Sequence, residues 1–69
     1  MMAFKKIRAD EVRPGALLLE DLGSWRTVKA VRDVYYFHGG LRFKIAEPRH
    51  PPMIFTPSDM LWVAQREEA

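Results

Sequence analysis

The sequence contains no cysteine, so neither a disulfide nor a cysteine-ligated zinc site can reinforce the fold. Its two histidines, His38 and His50, have no histidine or cysteine at ligand spacing, so we expect no metal and no cofactor. The 69 residues are enough for a single domain, whose small core must be sufficient alone or be supported by self-association. We expect this domain to cover residues 1–69, with flexible termini at about 1–4 and 66–69.

Long apolar runs are also missing. The run at residues 16–19, like every other apolar run in the sequence, is far shorter than the roughly 20 residues that span a bilayer. The basic residues near the start of the chain are not followed by the apolar segment of a signal peptide. We therefore expect a cytoplasmic protein that does not bind a membrane, and the absence of cysteine fits such a reducing compartment.

An excess of charge of one sign is absent as well. Eleven Lys and Arg residues against nine Asp and Glu residues give a net charge of +2. Three acidic residues, Glu20, Asp33 and Glu47, flank the basic positions of the central part of the chain. Proteins that follow the phosphates of duplex DNA concentrate cations without interspersed acids, so the pattern argues against a duplex partner.

Prolines at 14, 48, 51, 52 and 57 disfavour long helices, and the residues between them favour strands. The pattern predicts short strands at residues 16–20, 25–37, 41–45 and 53–56, and a single turn at residues 9–12. Residues 4–7 are either a short strand or a terminus that pairs only in the fold. A bulge or strong bend between Val28 and Val34 would bring the apolar residues of the long strand to one side.

The Gly39-Gly40 pair predicts a tight hairpin turn between two strands. Counting outward from it gives the expected cross-strand pairs, which are His38–Leu41, Phe37–Arg42, Tyr36–Phe43, Tyr35–Lys44 and Val34–Ile45. Strand side chains alternate, so this hairpin has one apolar face and one aromatic and basic face. We expect the core to contain the following residues, with Trp25 or Trp62 capping one end: Val28, Val34, Tyr36, Phe43, Ile45 and Leu61.

Two structures are open for residues 57–68. Thr56, Pro57 and Asp59 suit the N-cap, first and third positions of a helix. The run from Met60 to Val63, however, is apolar on every side and gives no helical stripe. The sequence favours one 3₁₀ turn followed by a final strand over a C-terminal helix.

The pattern Val12-x-Pro14-Gly15 is followed by Trp25-x-x-Val28-x-x-Val31. It resembles the opening hairpin of many bacterial and phage SH3-like domains, and the entry strands of hedgehog/intein-type folds. The resemblance implies an all-β fold, a small SH3-like barrel of about five short strands with a 3₁₀ turn before the last. Intein-type chemistry needs a nucleophile at the start of the chain, and Met1 is none, so we do not expect that activity.

Groups suited to catalysis are scattered. Ser24 and Ser58 lie in predicted turns, where serine usually caps or bonds the backbone. No spacing among the carboxylates suggests a general acid and base pair, and no glycine-rich loop leads into a helix to hold phosphate. We therefore expect no enzymatic activity and no small-molecule substrate.

The aromatic and basic face of the hairpin is the site that the sequence predicts. It would carry Tyr35, Phe37, Arg42 and Lys44, joined by Arg26 or Arg32 from the same bent strand. Tyrosine, phenylalanine and arginine are typical of protein interfaces, and the sequence therefore favours a non-catalytic binding module whose partner is a protein, such as a host factor or a second copy. The alternatives are a nucleic-acid accessory protein that binds single strands rather than duplexes, and a solvated face without a specific role.

Overall fold

The computed structural model describes residues 3–21, 23 and 26–65, which form one open antiparallel sheet. Its six strands are β1 (Ala3–Arg8), β2 (Leu17–Asp21), β3 (Arg26–Phe37), β4 (Gly40–Ile45), β5 (Met53–Phe55) and β6 (Met60–Gln65). A short 3₁₀ helix at Ala9–Glu11 follows β1. The all-β prediction is confirmed, with six strands instead of about five. No helix in the described part of the chain is long and apolar enough to cross a membrane.

The sheet has the strand order β1-β6-β2-β3-β4-β5. The longest strand, β3, joins the two halves of this sheet. The first part of β3 pairs with β2, and its second part pairs with β4. Between these parts Arg32 is the extra residue of a bulge, since Val31 pairs with Ile45 and Asp33 pairs with Lys44. A bulge bends a strand and shifts its alternation by one residue, so Val31 and Val34 both point to the core. The predicted bend is confirmed.

The core lies on one side of the bent sheet, and the 3₁₀ helix, with Ala9 buried, packs against it. The Ala9 N–H donates to Asp59 O at 2.7 Å, and the Asp10 N–H donates to Pro57 O at 3.2 Å. These bonds hold the 3₁₀ helix against the turn that precedes β6. The buried residues share this interior and come from the 3₁₀ helix, the segment after it and four strands: Ala9, Val12, Leu18, Val31, Leu41, Phe43, Ile45 and Val63.

The predicted core is partly confirmed. Phe43 and Ile45 are buried, and Val34 and Leu61 are half-buried against the core. Val28 and Tyr36 are 42% and 62% exposed, so their predicted burial is wrong.

Each of these two errors has a geometric cause. Val28 precedes the bulge, which gives it the outward direction, opposite to that of Val34. Tyr36 is on the core side, but it lies one residue pair from the end of the hairpin, where its ring projects past the core. The ring of Trp62 is 48% exposed and does not cap the core, while Trp25 lies outside the described residues.

The hairpin between β3 and β4 turns at His38-Gly39, so the predicted Gly39-Gly40 turn and the pairs counted from it are wrong. Phe37 pairs with Gly40 and Tyr35 pairs with Arg42. His38 and Gly39 have φ angles of 50° and 76°, as both central residues of a two-residue hairpin turn with the type I′ twist require. Each partner moves by two positions, so the two faces of the hairpin keep their predicted residues.

The last strand resolves the choice for the C-terminal segment. Residues 60–65 form β6, so a helix there is wrong. Before β6 the chain makes a hydrogen-bonded turn, in which the Asp59 N–H donates to Thr56 O at 3.1 Å. In return the Thr56 N–H donates to Asp59 Oδ2 at 2.9 Å. Thr56 and Asp59 thus close a turn and do not start a helix.

Candidate functional site on the hairpin

The outward side of the β3–β4 hairpin carries a cluster of exposed apolar side chains around one arginine. Arg42 lies directly opposite Tyr35 on β3 and Ile54 on β5. Tyr35, Phe37 and Ile54 are 39%, 50% and 61% exposed. Together with Lys44, these residues are called the hairpin face below. The structure thus brings together Tyr35, Phe37 and Arg42, and it adds Ile54.

Arg42 is held in place by its aromatic neighbour. Its guanidinium carbon lies 4.7 Å from the centroid of the Phe37 ring, which is a cation–π distance. The same ring also contacts His38, edge to face at 4.3 Å between centroids. Arg42 Nε is buried and has no hydrogen-bond partner among the described residues. The arginine is therefore partly desolvated.

Lys44 and Arg32 lie next to an acidic residue. Lys44 is directly opposite Asp33, and Arg32 Nε is 4.0 Å from Asp33 Oδ2. Lys44 also lines a shallow groove with Asp33, Val34, Tyr35, His50 and Pro52. Asp33 reduces the positive potential of this part of the hairpin. These cations therefore do not form an uninterrupted basic surface.

Arg26 is not part of this cluster. It is the first residue of β3, in the half of the strand that pairs with β2, and it lines a separate groove with Phe4, Leu19 and Trp62. The sequence predicted Arg26 near the hairpin because it does not show where along the strand the pairing changes from one neighbour to the other. The division of β3 between two neighbours puts it on the other half of the sheet.

The loop between β4 and β5 adds basic residues that the sequence did not indicate. A groove beside it is lined by Arg32, Lys44 and residues 45–50, which include Arg49 and His50. Arg49 has a φ of 63°, and His50 Nδ1 lies 2.7 Å from Pro51 O. The proline-rich run 48–52 was visible in the sequence, but its position beside Arg32 follows only from the fold.

An ion pair fixes the start of this loop. Lys29 Nζ donates to Glu47 Oε1 and Oε2 at 2.8 and 3.0 Å. This hydrogen bond and the charge of Lys29 lower the pKa of Glu47, against a smaller opposing effect of desolvation. Lys29 lies opposite Leu18, and its side chain is only 18% exposed. Glu47 therefore neutralises a cation at the edge of the core.

A second exposed apolar surface lies on the outward side of the other half of the sheet. We call it the apolar face, and it consists of Phe4, Leu19, Val28, Met60 and Trp62. Val28, Met60 and Trp62 are 42%, 48% and 48% exposed. The apolar runs at 16–19 and 60–64 indicated this surface in the sequence. A strand with one solvated face normally alternates apolar and polar residues, whereas these runs place apolar side chains on both faces.

No group of three or more histidine, cysteine, aspartate or glutamate side chains is placed to hold a metal in the described part of the chain. Comparisons with protein-family models, with curated proteins and with solved structures each gave no match for this chain. The functional interpretation therefore depends on the two exposed surfaces and on the charges around them.

Proposed function

We propose that this chain is a non-catalytic, cytoplasmic binding module that docks a protein partner on the hairpin face. The observation that carries the proposal is the cluster in which exposed Tyr35, Phe37 and Ile54 surround a partly desolvated Arg42. Contiguous exposed apolar side chains around arginine and aromatic residues are typical of protein interfaces. The partner is a host factor or a second copy of the chain.

The fold that we propose for this module is an open SH3-like barrel. Strands β2 to β6, the bend in β3 and the turn before β6 agree with the resemblance noted in the sequence. In this description β1 is an additional strand beside β6.

A protein partner suits the hairpin face better than a nucleic acid does. Arg42 already covers the Phe37 ring at 4.7 Å, so a base that stacks on this face would have to displace the guanidinium. Asp33, beside Lys44 and Arg32, repels phosphate. A protein can instead pack apolar side chains on Tyr35 and Ile54 and offer a carboxylate or carbonyl to Arg42.

Single-stranded nucleic acid is the second candidate, and the groove beside the β4–β5 loop favours it. Arg32, Lys44, Arg49 and His50 line this groove, and Tyr35 lines the adjoining one. An exposed aromatic ring beside several cations is the arrangement that binds single strands. Its affinity would fall with salt on a log–log slope of about −2 to −3, at about 0.7 per phosphate contact.

Capture from cell lysate with and without nuclease tests the proposal. The immobilised chain, its Tyr35→Ala/Phe37→Ala variant and a Tyr36→Ala control are compared. Tyr36 is a second exposed tyrosine, on the opposite side of the same hairpin, with 62% exposure against 39% for Tyr35. We expect the parent chain to capture proteins from the lysate both with and without nuclease. The double variant should no longer capture them, and the Tyr36→Ala control should still do so. Capture that nuclease abolishes, or that the double variant does not change, would contradict a protein-binding hairpin face.

A titration with labelled oligonucleotide separates the two candidates. We expect weak or undetectable binding of a single strand by both the parent and the double variant. Micromolar or tighter binding near physiological salt, lost in the double variant, would instead support the nucleic-acid function.

A further inference from the structure

Strand β1 leaves one of its edges open. It is the outermost strand of the sheet, and all six of its residues pair with β6 on the other side. It contains neither proline nor a bulge. The opposite edge of the sheet is β5, which has only three residues and lies between prolines at 51, 52 and 57. Proline, shortness and charged side chains, lysine above all, are the usual protections of an edge strand, and of these β1 has only its lysines.

The hydrogen bonds at the end of β1 show which of its backbone groups point to this open edge. The Arg8 N–H donates to Glu11 Oε1 at 3.0 Å and so points away from β6. The next N–H, that of Ala9, donates to Asp59 O at 2.7 Å, toward the β6 side. Because backbone groups alternate along a strand, Phe4 and Lys6 direct their N–H and C=O groups outward. No backbone partner for these groups lies among the described residues.

The side chains beside this edge have a definite pattern of charge. Lys5 and Lys6 are exposed and adjacent in sequence, so one cation lies on each side of the sheet. Lys6 Nζ lies 5.8 Å from the Trp62 ring, on the apolar face. Phe4 shares that side, while Ile7 packs against the core on the other side. A strand added here meets an apolar residue, two cations and a second apolar residue.

Pairing with a second copy of β1 conflicts with this charge pattern. Outward groups at Phe4 and Lys6 allow an antiparallel copy to overlap by five residues in two registers. One register places Lys5 opposite Lys5, and the other places Lys6 opposite Lys6. Like charges directly opposite one another destabilise a strand pair. The edge therefore disfavours a second copy and favours a strand of opposite charge.

We propose that the open edge of β1 is a second docking site, which takes an extended segment of a partner protein as an added antiparallel strand. The segment has the pattern apolar–acidic–acidic–apolar, with its apolar residues opposite Phe4 and Ile7 and its acidic residues opposite Lys5 and Lys6. Its backbone bonds to the outward groups of Phe4 and Lys6, and one apolar side chain extends the apolar face. This site is independent of the hairpin face.

A peptide titration followed by NMR tests this site on the full chain. The probe is a capped eight-residue peptide with the central sequence Val-Glu-Glu-Val, and the matched peptide has Val-Lys-Lys-Val. We expect the acidic peptide to shift the amide signals of Phe4 and Lys6 and to leave those of Tyr35 and Phe37 unchanged. The lysine peptide should bind about tenfold more weakly, because two cross-strand charge pairs become repulsive.

Charge reversal tests the complementarity. The Lys5→Glu/Lys6→Glu variant should prefer the lysine peptide, while an Arg32→Glu/Lys44→Glu control, with the same change in net charge, should keep the parent's preference. Circular dichroism confirms that both variants fold.

Methylation of the peptide backbone tests the strand pairing. N-methyl groups on the residues opposite Phe4 and Lys6 should abolish binding, and methyl groups on the other two central residues should not. An absence of amide shifts at about 1 mM peptide, an unchanged preference in the reversed variant, or binding that survives methylation opposite Phe4 and Lys6 would overturn the proposal.

Discussion

The guanidinium carbon of Arg42 lies 4.7 Å from the Phe37 ring centroid, although Arg42 pairs directly with Tyr35 and Phe37 pairs with Gly40. The contact is diagonal across the hairpin. Because Gly40 has no side chain, the Phe37 ring meets Arg42 without competition from its own partner. The two side chains therefore contact each other across the hairpin.

A double-mutant cycle with Phe37→Leu and Arg42→Gln should measure this coupling. We expect an interaction free energy of about 0.5–1 kcal/mol, which is typical of an exposed cation–π pair. Denaturant unfolding of the parent, the two single variants and the double variant provides the four values. Strictly additive effects would show that the two side chains do not stabilise each other in solution.

Phe43 should be the residue whose truncation the fold tolerates least. Its ring is fully buried and lies 5.2 Å from that of Phe55. Phe43→Ala should lower the free energy of unfolding by about 3–5 kcal/mol, because it removes apolar contacts and leaves a cavity. Tyr36→Ala, on the same side of the hairpin but exposed, should cost about 0.5 kcal/mol or less. Equal losses in chemical denaturation would contradict the described core.

Acid should weaken the fold through the Lys29–Glu47 pair. The hydrogen bond from Lys29 lowers the pKa of Glu47 below its usual value of 4.5. A carboxyl group whose pKa is lowered by folding stabilises the protein above its unfolded pKa, and this stabilisation disappears as the pH falls through the folded pKa. Glu47→Gln should therefore flatten the dependence of the unfolding midpoint on pH below about 4.5. If parent and variant show parallel acid limbs, the pair contributes nothing to stability.

The residue at position 38 should control the stability of the hairpin turn. His38 has a φ of 50°, a region that asparagine enters readily and β-branched residues avoid. His38→Asn, which creates the preferred Asn-Gly turn, should stabilise the protein by about 0.5 kcal/mol. His38→Val should destabilise it by about 1–3 kcal/mol. Thermal melting measures both changes, and a valine variant as stable as the parent would exclude the left-handed turn.

The faces of the hairpin were predictable, but its register was not. Alternation along Tyr35, Tyr36 and Phe37 determines which side chains share a side, and a shift of two positions leaves that assignment intact. The turn itself is formed by His38 and Gly39, both with positive φ. The sequence favoured Gly39-Gly40 instead, because glycine adopts positive φ more readily than histidine does. The misplacement of Val28 has a similar cause, because the sequence showed that the strand must bend but not at which residue.

The site was predictable only where it is local. Tyr35, Phe37 and Arg42 come from one hairpin, so local alternation is enough to bring them together. Ile54 and His50 reach the same half of the sheet through the path of the β4–β5 loop, which no short-range pattern encodes. The apolar face combines residues from four strands. In the sequence it is indicated only by apolar runs that do not alternate with polar residues, and not by a motif.

The sharing of β3 between β2 and β4 has a consequence for how the protein opens. If β3 detaches, β2 and β4 both lose their hydrogen bonds to it and the two halves of the sheet are no longer joined, so local opening that reaches the middle of β3 exposes the core between them. Amides of Leu18 on β2 and Phe43 on β4 should therefore exchange with solvent at the same rate, through global unfolding. Such coupling makes this single strand the mechanical link through which strain at one surface reaches the other.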